Sequence, residues 1–265
     1  MKRILTVILL TIHCSLFIIH CAAQDQHLID SLETQLKNHY AAKNVHGGKT
    51  PAMFDTTAAN LLARLAKEYG NNNPDKAMDY ANQCLTLSEH IGYKKGMGNA
   101  YNSFGWVNLS KGDYIPALDY SNKALKLFQE LDNKKGMANA YNNTGEIYRA
   151  QGNYPEALKN HLMALKLREE TNDKKEIAAS YNNIGLIYWK QGNYTEALKN
   201  HFASLKLKQE IGYEYGIANS YNHIGEVYTN QGNYDGALNN YLEALKIFEK
   251  LANKRGIAKI MRINA

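Results

Sequence analysis

From residue 96 onward the sequence returns to itself every forty residues, and this register constrains the fold more than any other property of the chain. Tyr101, Tyr141, Tyr181 and Tyr221 share one column, and Gly105, Gly145, Gly185 and Gly225 share a second. Gly112, Gly152, Gly192 and Gly232 form a third, followed two places on by Tyr114, Tyr154, Tyr194 and Tyr234. Ala117, Ala157, Ala197 and Ala237 keep the step, as do Leu125, Leu165, Leu205 and Leu245. An earlier copy is more worn. Leu62, Leu65, Ala66 and Tyr69 match Tyr101, Phe104, Gly105 and Asn108 one residue short of the step, while Ala77 and Leu85 match Ala117 and Leu125 in full register. Five repeats therefore occupy residues 52–255, at about 56–95, 96–135, 136–175, 176–215 and 216–255. Residues 256–265 begin a sixth or form a short C-terminal cap.

Each unit reads as two helices. In the fourth, Ile177, Ala178, Tyr181, Ile184, Gly185 and Tyr188 recur at steps of three and four, one apolar helical face. Gly192 suits the left-handed position that ends a helix, and Asn193 with Glu196 three places on has the pattern of a capping box. Asn153 and Glu156 repeat that pattern one unit earlier. The second helix carries Ala197, Leu198, His201, Phe202, Leu205 and Leu207, and such helices run out at polar turns such as residues 171–175. Neither helix buries its stripe alone, so the two pair as a hairpin and the hairpins stack. The fold class is all-α, an α-solenoid of stacked helical hairpins with a concave and a convex face. β-Propellers and leucine-rich repeats need strand-type alternation, which is absent.

Tyr181, Gly185, Tyr188, Ala197 and Ser204 resemble the signature of the tetratricopeptide repeat, in a 40-residue variant with longer helices and no closing proline. The resemblance covers roughly residues 56–260. Similar long units occur in kinesin light chain, in cell-polarity adaptors and in exported sensory segments of bacterial histidine kinases or adenylate cyclases. The resemblance implies a right-handed superhelix whose first helices line a groove that binds a peptide or protein segment.

Residues 1–23 read as an address. Lys2 and Arg3 precede a mostly apolar run, and Cys21-Ala22-Ala23 supplies small residues before Gln24, the order of a secretory signal peptide. Cleavage after Ala23 and an exported, periplasmic or secreted location are expected. The alternative is a lipoprotein signal with Cys21 as the lipidated residue, which His20 fits poorly. Loss of Lys2 and Arg3 takes the formal charge from +6 to +4, a mild bias over a long exported chain, so no nucleic-acid partner is expected. After residue 21 no apolar run approaches the ~20 residues of a membrane span. Residues 24–51 form an N-terminal cap and linker, with Leu28, Leu32, Leu36 and Tyr40 spaced along one amphipathic helix.

Catalytic chemistry finds little footing. Residues 46–50 resemble the tail of a phosphate-binding loop, but Lys43 stands where the first glycine is needed, and a glycine-rich linker is the better reading. His161 and His201 share a column with Ser121 and Tyr241, and helices packed ~8–10 Å apart do not bring two such imidazoles onto one metal. Cys84 shares its column with Ala124, Ala164, Ser204 and Ala244, a place for a small buried residue. Lys94-Lys95, Lys134-Lys135, Lys174-Lys175 and Lys254-Arg255 read as solvated edges of the inter-unit turns. No catalytic residue, metal site or cofactor is expected.

Asparagine carries the binding expectation. Asn142-Asn143 and Asn182-Asn183 follow the tyrosine of their units, and Asn102 and Asn222 hold the first of these two places in theirs. Asn139 and Asn219 precede them by three. Asparagine is a mediocre helix former, and steps of three and four put these amides on one face. A primary amide pairs with both N–H and C=O of an extended main chain. The resemblance implies that this flank faces the groove, where Trp106, Glu146, Arg149, Leu186, Trp189, Lys190 and Glu226 then supply selectivity. The alternative is that the amides bond between helices. The functional expectation is a non-enzymatic, exported interaction scaffold for a peptide or protein segment. A sensory input module of a kinase- or cyclase-type signalling system is the alternative. Ile257, Ile260 and Met261, with little cover at the end of the stack, leave self-association open.

Overall fold

The computed structural model describes residues 26–42, 52–70 and 72–263. The expected export signal of residues 1–23, with Cys21, and the glycine-rich stretch 46–50 lie outside the described residues. All regular structure among the described residues is helical: α1 (26–42), α2 (Ala52–Tyr69), α3 (Pro74–His90), α4 (Lys94–Lys111), α5 (Tyr114–Glu130), α6 (Lys134–Ala150), α7 (Tyr154–Glu170), α8 (Lys174–Lys190), α9 (Tyr194–Glu210), α10 (Glu214–Asn230), α11 (Tyr234–Lys250) and α12 (Lys254–Ile263). The chain divides into two compact units at Asn172 and Asp173. Each is a stack of helical hairpins of the α-solenoid class.

In residues 27–172 the hairpins are α2/α3, α4/α5 and α6/α7, with α3 packed on α4 and α5 on α6. Small residues set the approach: Ala77, Ala117 and Ala157 are fully buried, as are Cys84, Ala124 and Ala164. Burial pushes the Cys84 thiol up to about 11, and its Sγ donates to the Ala59 carbonyl at 3.2 Å. Helix α1 lays Ile29, Leu32 and Leu36 into the same core as Leu62 and Leu65. Its buried stripe is thus shifted from the expected one, with Leu28 and Tyr40 on exposed edges. The 3.6-residue period allows both stripes, and packing on α2 selects one. The Glu33 carboxylate ties α1 down by accepting from the hydroxyls of Tyr69 (2.8 Å) and Tyr80 (2.9 Å).

In residues 173–265 the hairpins are α8/α9 and α10/α11, with α9 packed on α10 and α12 on α11. Ile177, Ala178, Ile184, Gly185 and Ile187 are buried along α8, and Ala197, His201, Ser204 and Leu205 along α9. Phe202, expected in that stripe, is 44% exposed, because it sits one residue beyond His201 and the 100° step carries it past the edge of the interface. Helix α8 ends as expected. Gly192 has φ +74°, its N–H meets the Trp189 carbonyl at 3.0 Å, and the Asn193 N–H meets that of Tyr188 at 2.9 Å. This is the paired-bond left-handed stop that only glycine adopts without strain. The Asn193 side chain then caps α9 by accepting from the Glu196 N–H at 3.2 Å. The expected return bond from Glu196 is not formed, since its carboxylate turns to Lys199 at 3.4 Å. Glu156 does the same with Lys159.

The inter-unit lysines are not all solvated edges. Lys94 pairs with Glu130 at 2.8 Å, Lys134 with Glu170 at 3.0 Å and Lys174 with Glu210 at 2.9 Å, each joining the start of a first helix to the end of its own second helix. In α10/α11 the polarity is inverted, with Glu214 on the first helix and Lys250 on the second. At the C-terminal end Ile260 is buried and Ile257 half-buried, so α11 covers more of α12 than expected, while Met261 is exposed. Among the described residues no helix is long and apolar enough to cross a membrane.

Candidate functional site: the first-helix face

The expected groove residues lie on α4, α6, α8 and α10, and they divide by role. In residues 27–172, the Asn143 amide donates to the Asn102 carbonyl at 3.0 Å, a tie between α6 and α4. That amide serves the stack, as the alternative reading of the column allowed. The Asn102 Oδ1 is buried without a partner, while Asn139 and Asn142 are half-buried. Trp106 is half-buried against the end of α2, where a side chain at Gly70 would stand 2.8 Å from its ring. Glu146 is buried and accepts from Arg149 at 2.6 and 2.9 Å, so these two expected selectivity residues are occupied by each other. The Glu146 Oε1 also stands 3.5 Å from His161 Nε2.

His161 is fully buried on α7. Burial pushes its imidazole down to about 4, against the opposing pull of Glu146. His201 is its counterpart on α9, pushed by burial, and then by His223 and Lys208, down to about 3. Both rings press on glycine backbone: a Cβ on Gly145 or Gly185 would stand 2.8 Å from the nearest ring atom. These are core imidazoles filling the space that Tyr241 fills on α11. Among the described residues no group of three His, Cys, Asp or Glu side chains is placed to hold a metal.

In residues 173–265 the face of α8, α10 and α12 carries two open cavities. The first, about 290 Å³, is lined by residues that include Asn182, Asn183, Asn219, His223, Lys208 and Lys175. The second, about 450 Å³, includes Asn219 again, with Tyr215, Glu226, Phe248, Arg255 and Lys259. Asn219 thus stands between them, its Nδ2 held by the Tyr215 carbonyl at 3.0 Å. Asn222 is only 1% exposed, and its amide donates to Glu226 at 2.8 Å. That rung is sealed within the helix face. The Glu226 carboxylate also takes His223 at 3.0 Å and Lys259 at 3.1 Å. Burial alone would raise this carboxyl, but His223 and then Lys259 hold it far below the usual range. Leu186 and Trp189 are half-buried and Lys190 is exposed. The Lys190 ammonium lies over the Trp189 ring at 4.4 Å, and none of the three lines either cavity.

Cavity-lining residues missed from sequence include Lys175, Lys208, Tyr215, His223, Phe248, Arg255 and Lys259. Lys208 had a readable signal. Its column is Ser88, Phe128, Arg168 and Phe248, all buried, so α7 and α9 put a cation where α5 and α11 bury phenylalanine.

The sequence profile of the tetratricopeptide repeat matches residues 96–170, 136–210 and 176–250. No curated protein sequence matches the chain significantly. Among solved structures, a Rap protein complexed with competence and sporulation factor superposes with a TM-score of 0.70 at 14% identity, over 89% of this chain and 62% of that one. A putative kinesin light chain with TPR-like repeats from Podosopora anserina gives 0.56 at 13%, over 72% and 94%. A signal-transduction ATPase with a tetratricopeptide repeat sensor from Pyrococcus horikoshii gives 0.62 at 17%, over 89% and 37%. At these identities the likeness is one of fold.

Proposed function

Since the chain belongs to the tetratricopeptide repeat family, a fold of protein–protein interaction scaffolds, we propose that it acts outside the cytoplasm by holding a peptide or protein segment along its first-helix face. The observation that carries this reading is the pair of cavities sharing Asn219. An extended chain crossing α8, α10 and α12 passes over both, with amides at Asn182, Asn183 and Asn219 within reach of its main chain. The Rap structure supports the reading, because a protein of like fold is there complexed with competence and sporulation factor. Asn143 and Asn222 are left out of the binding set, being committed to the stack. Trp189 remains in it as a half-buried group on α8, while Trp106, Asn139 and Asn142 are half-buried on α4 and α6 of residues 27–172.

The test is capture of partners by the mature chain from its native envelope, compared with a variant in which Asn183, Asn219 and Trp189 are replaced by alanine. Loss of the captured polypeptide with melting unchanged supports the reading. Capture that survives the triple replacement refutes it. N-terminal sequencing of the protein from the cell envelope tests export, Gln24 as first residue being the expected outcome and an intact Met1 the refuting one.

A second reading, sensory input to a kinase- or cyclase-type system, draws support from the likeness to the sensor-bearing Pyrococcus protein. A captured kinase or cyclase favours it, and a captured set without either counts against it. Self-association through α12 rests on Met261 and the half-buried Ile257, and sedimentation of wild type against Met261→Glu tests it.

A further inference from the structure

The outer columns of the second helices change chemistry along the chain. One position is exposed in every repeat, yet it holds Asn82 on α3 and Asn122 on α5, then Leu162 on α7, Phe202 on α9 and Leu242 on α11. The two asparagines show that the stack does not ask for an apolar residue there. Three places earlier stand Asp79 and Asp119, then Lys159, Lys199 and Asn239, all exposed. Four places later stand Thr86, then Lys126, Lys166, Lys206 and Lys246, again exposed. Steps of three and four put each such trio on one helical face. That face reads Asp79, Asn82, Thr86 on α3 and Lys199, Phe202, Lys206 on α9, so its formal charge passes from −1 to +2.

In residues 173–265, α9 and α11 are the second helices of successive hairpins. Phe202 is 44% exposed, Leu242 is 52% exposed, and Leu238, a turn before it, is 49% exposed. Lys199 shares its charge with Glu196 at 3.4 Å. Lys206 and Lys246 form no ion pair among the described residues. Glu210, the acid near Lys206, is bonded to Lys174. Glu243, beside Leu242, is an opposing charge. None of the three lysines, nor Phe202 or Leu242, lines either cavity. Within residues 27–172, α7 carries the same set by itself, with Leu162 and Met163 exposed between Lys159 and Lys166.

The lysines decide what such a face meets. The core of a protein–protein interface is depleted in lysine, because each ammonium must be stripped of water. Single apolar side chains bracketed by lysine stems are instead the pattern of a helix at the boundary between lipid headgroups and acyl chains, with the ammoniums reaching anionic phosphates. We propose that the outer face of α9 and α11 rests on an anionic lipid bilayer. Phe202 and Leu242 enter the headgroup boundary, and Lys199, Lys206 and Lys246 meet the lipid phosphates. These residues are separate from those of the groove, so the inference stands or falls independently of the groove reading.

The test is flotation of the chain from Gln24 onward, without the apolar leader, on two kinds of vesicle: equal parts phosphatidylglycerol and phosphatidylcholine, or phosphatidylcholine alone. Wild type is expected to bind the anionic vesicles at least about tenfold more tightly and to lose that preference in high salt. Phe202→Asn with Leu242→Asn restores the residue type of the first two repeats, and should weaken binding about tenfold with melting unchanged. Lys206→Thr with Lys246→Thr should remove most of the preference between the vesicles. These two lysines are exposed, so this pair carries the test if the asparagine pair disturbs melting. Absence of flotation, equal flotation on both vesicles, or anionic binding that survives both double replacements overturns the proposal. So does a lipid-free dimer in sedimentation that Phe202→Asn with Leu242→Asn dissolves, since a second copy is then the occupant.

Discussion

The contact between His201 and Gly185 yields a prediction with a defined sign in each of two backgrounds. A Cβ at residue 185 would stand 2.8, 2.9 and 3.0 Å from Cε1, Nδ1 and Nε2 of the imidazole, and the ring is fully buried with nowhere to retreat. Overpacking of this kind costs about 1–3 kcal/mol. Against it stands the gain from replacing glycine by alanine within a helix, about 1 kcal/mol. Gly185→Ala alone is therefore expected to be destabilising by roughly 0–2 kcal/mol. When His201 is also alanine the clash is gone and the helix gain is left, so the same replacement should stabilise by up to about 1 kcal/mol. The coupling between the sites, about 1–3 kcal/mol, is the clash itself. Urea unfolding of wild type, both single variants and the double variant measures it, provided the slopes agree. Equal shifts for Gly185→Ala in both backgrounds would refute the reasoning, because the glycine column would then owe nothing to the ring it faces.

Other outcomes follow from the same structure. His161 and His201 bind protons far less readily folded than unfolded, where the ordinary value is 6.5. Their neutral burial contributes stability that is complete above pH 6.5 and is lost as pH falls toward 4 and 3, by about 2 kcal/mol per histidine at pH 5. His161→Phe with His201→Phe should flatten the melting profile between pH 5 and 7, and an unchanged slope counts against buried neutral rings. Asn193→Ala removes a cap that accepts the Glu196 N–H and should cost about 1 kcal/mol. Asp113→Ala, at a cap position without a side-chain bond, should cost much less, and equal losses on melting would contradict the cap assignment. Replacing Lys174 and Glu210 together by alanine should leave the melting temperature essentially unchanged, since both side chains are well exposed.

Helix number, pairing and stops were readable from the sequence because they depend on local chemistry. Gly192 ends α8 and Asn193 starts α9 for reasons that lie within five residues of each. Facing was harder. A helix turns 100° per residue, and an apolar stripe is wide enough to admit Leu28 as well as Ile29, or Phe202 as well as His201; the neighbouring helix decides which is covered. The asparagine column shows the same limit. Asn183 and Asn222 sit one place apart in the register, yet one lines a cavity and the other is sealed against Glu226. Amide composition does not separate those roles, because the donor that joins two helices is the donor that holds a ligand. Lys208 was legible as a cation in a column that α5 and α11 fill with phenylalanine, but that its ammonium bonds the Ser220 hydroxyl is something spacing does not report.

The inverted ion pair of α10/α11 bears on how residues 173–265 assemble at all. A chain built from near copies offers each helix a second, almost equally good mate while it folds. Were α8 to mate with α11 in place of α9, Lys174 would confront Lys250 rather than Glu210. That mistake is repelled while the native matches attract, so two exposed pairs of small worth to the finished protein favour the correct partner for α8.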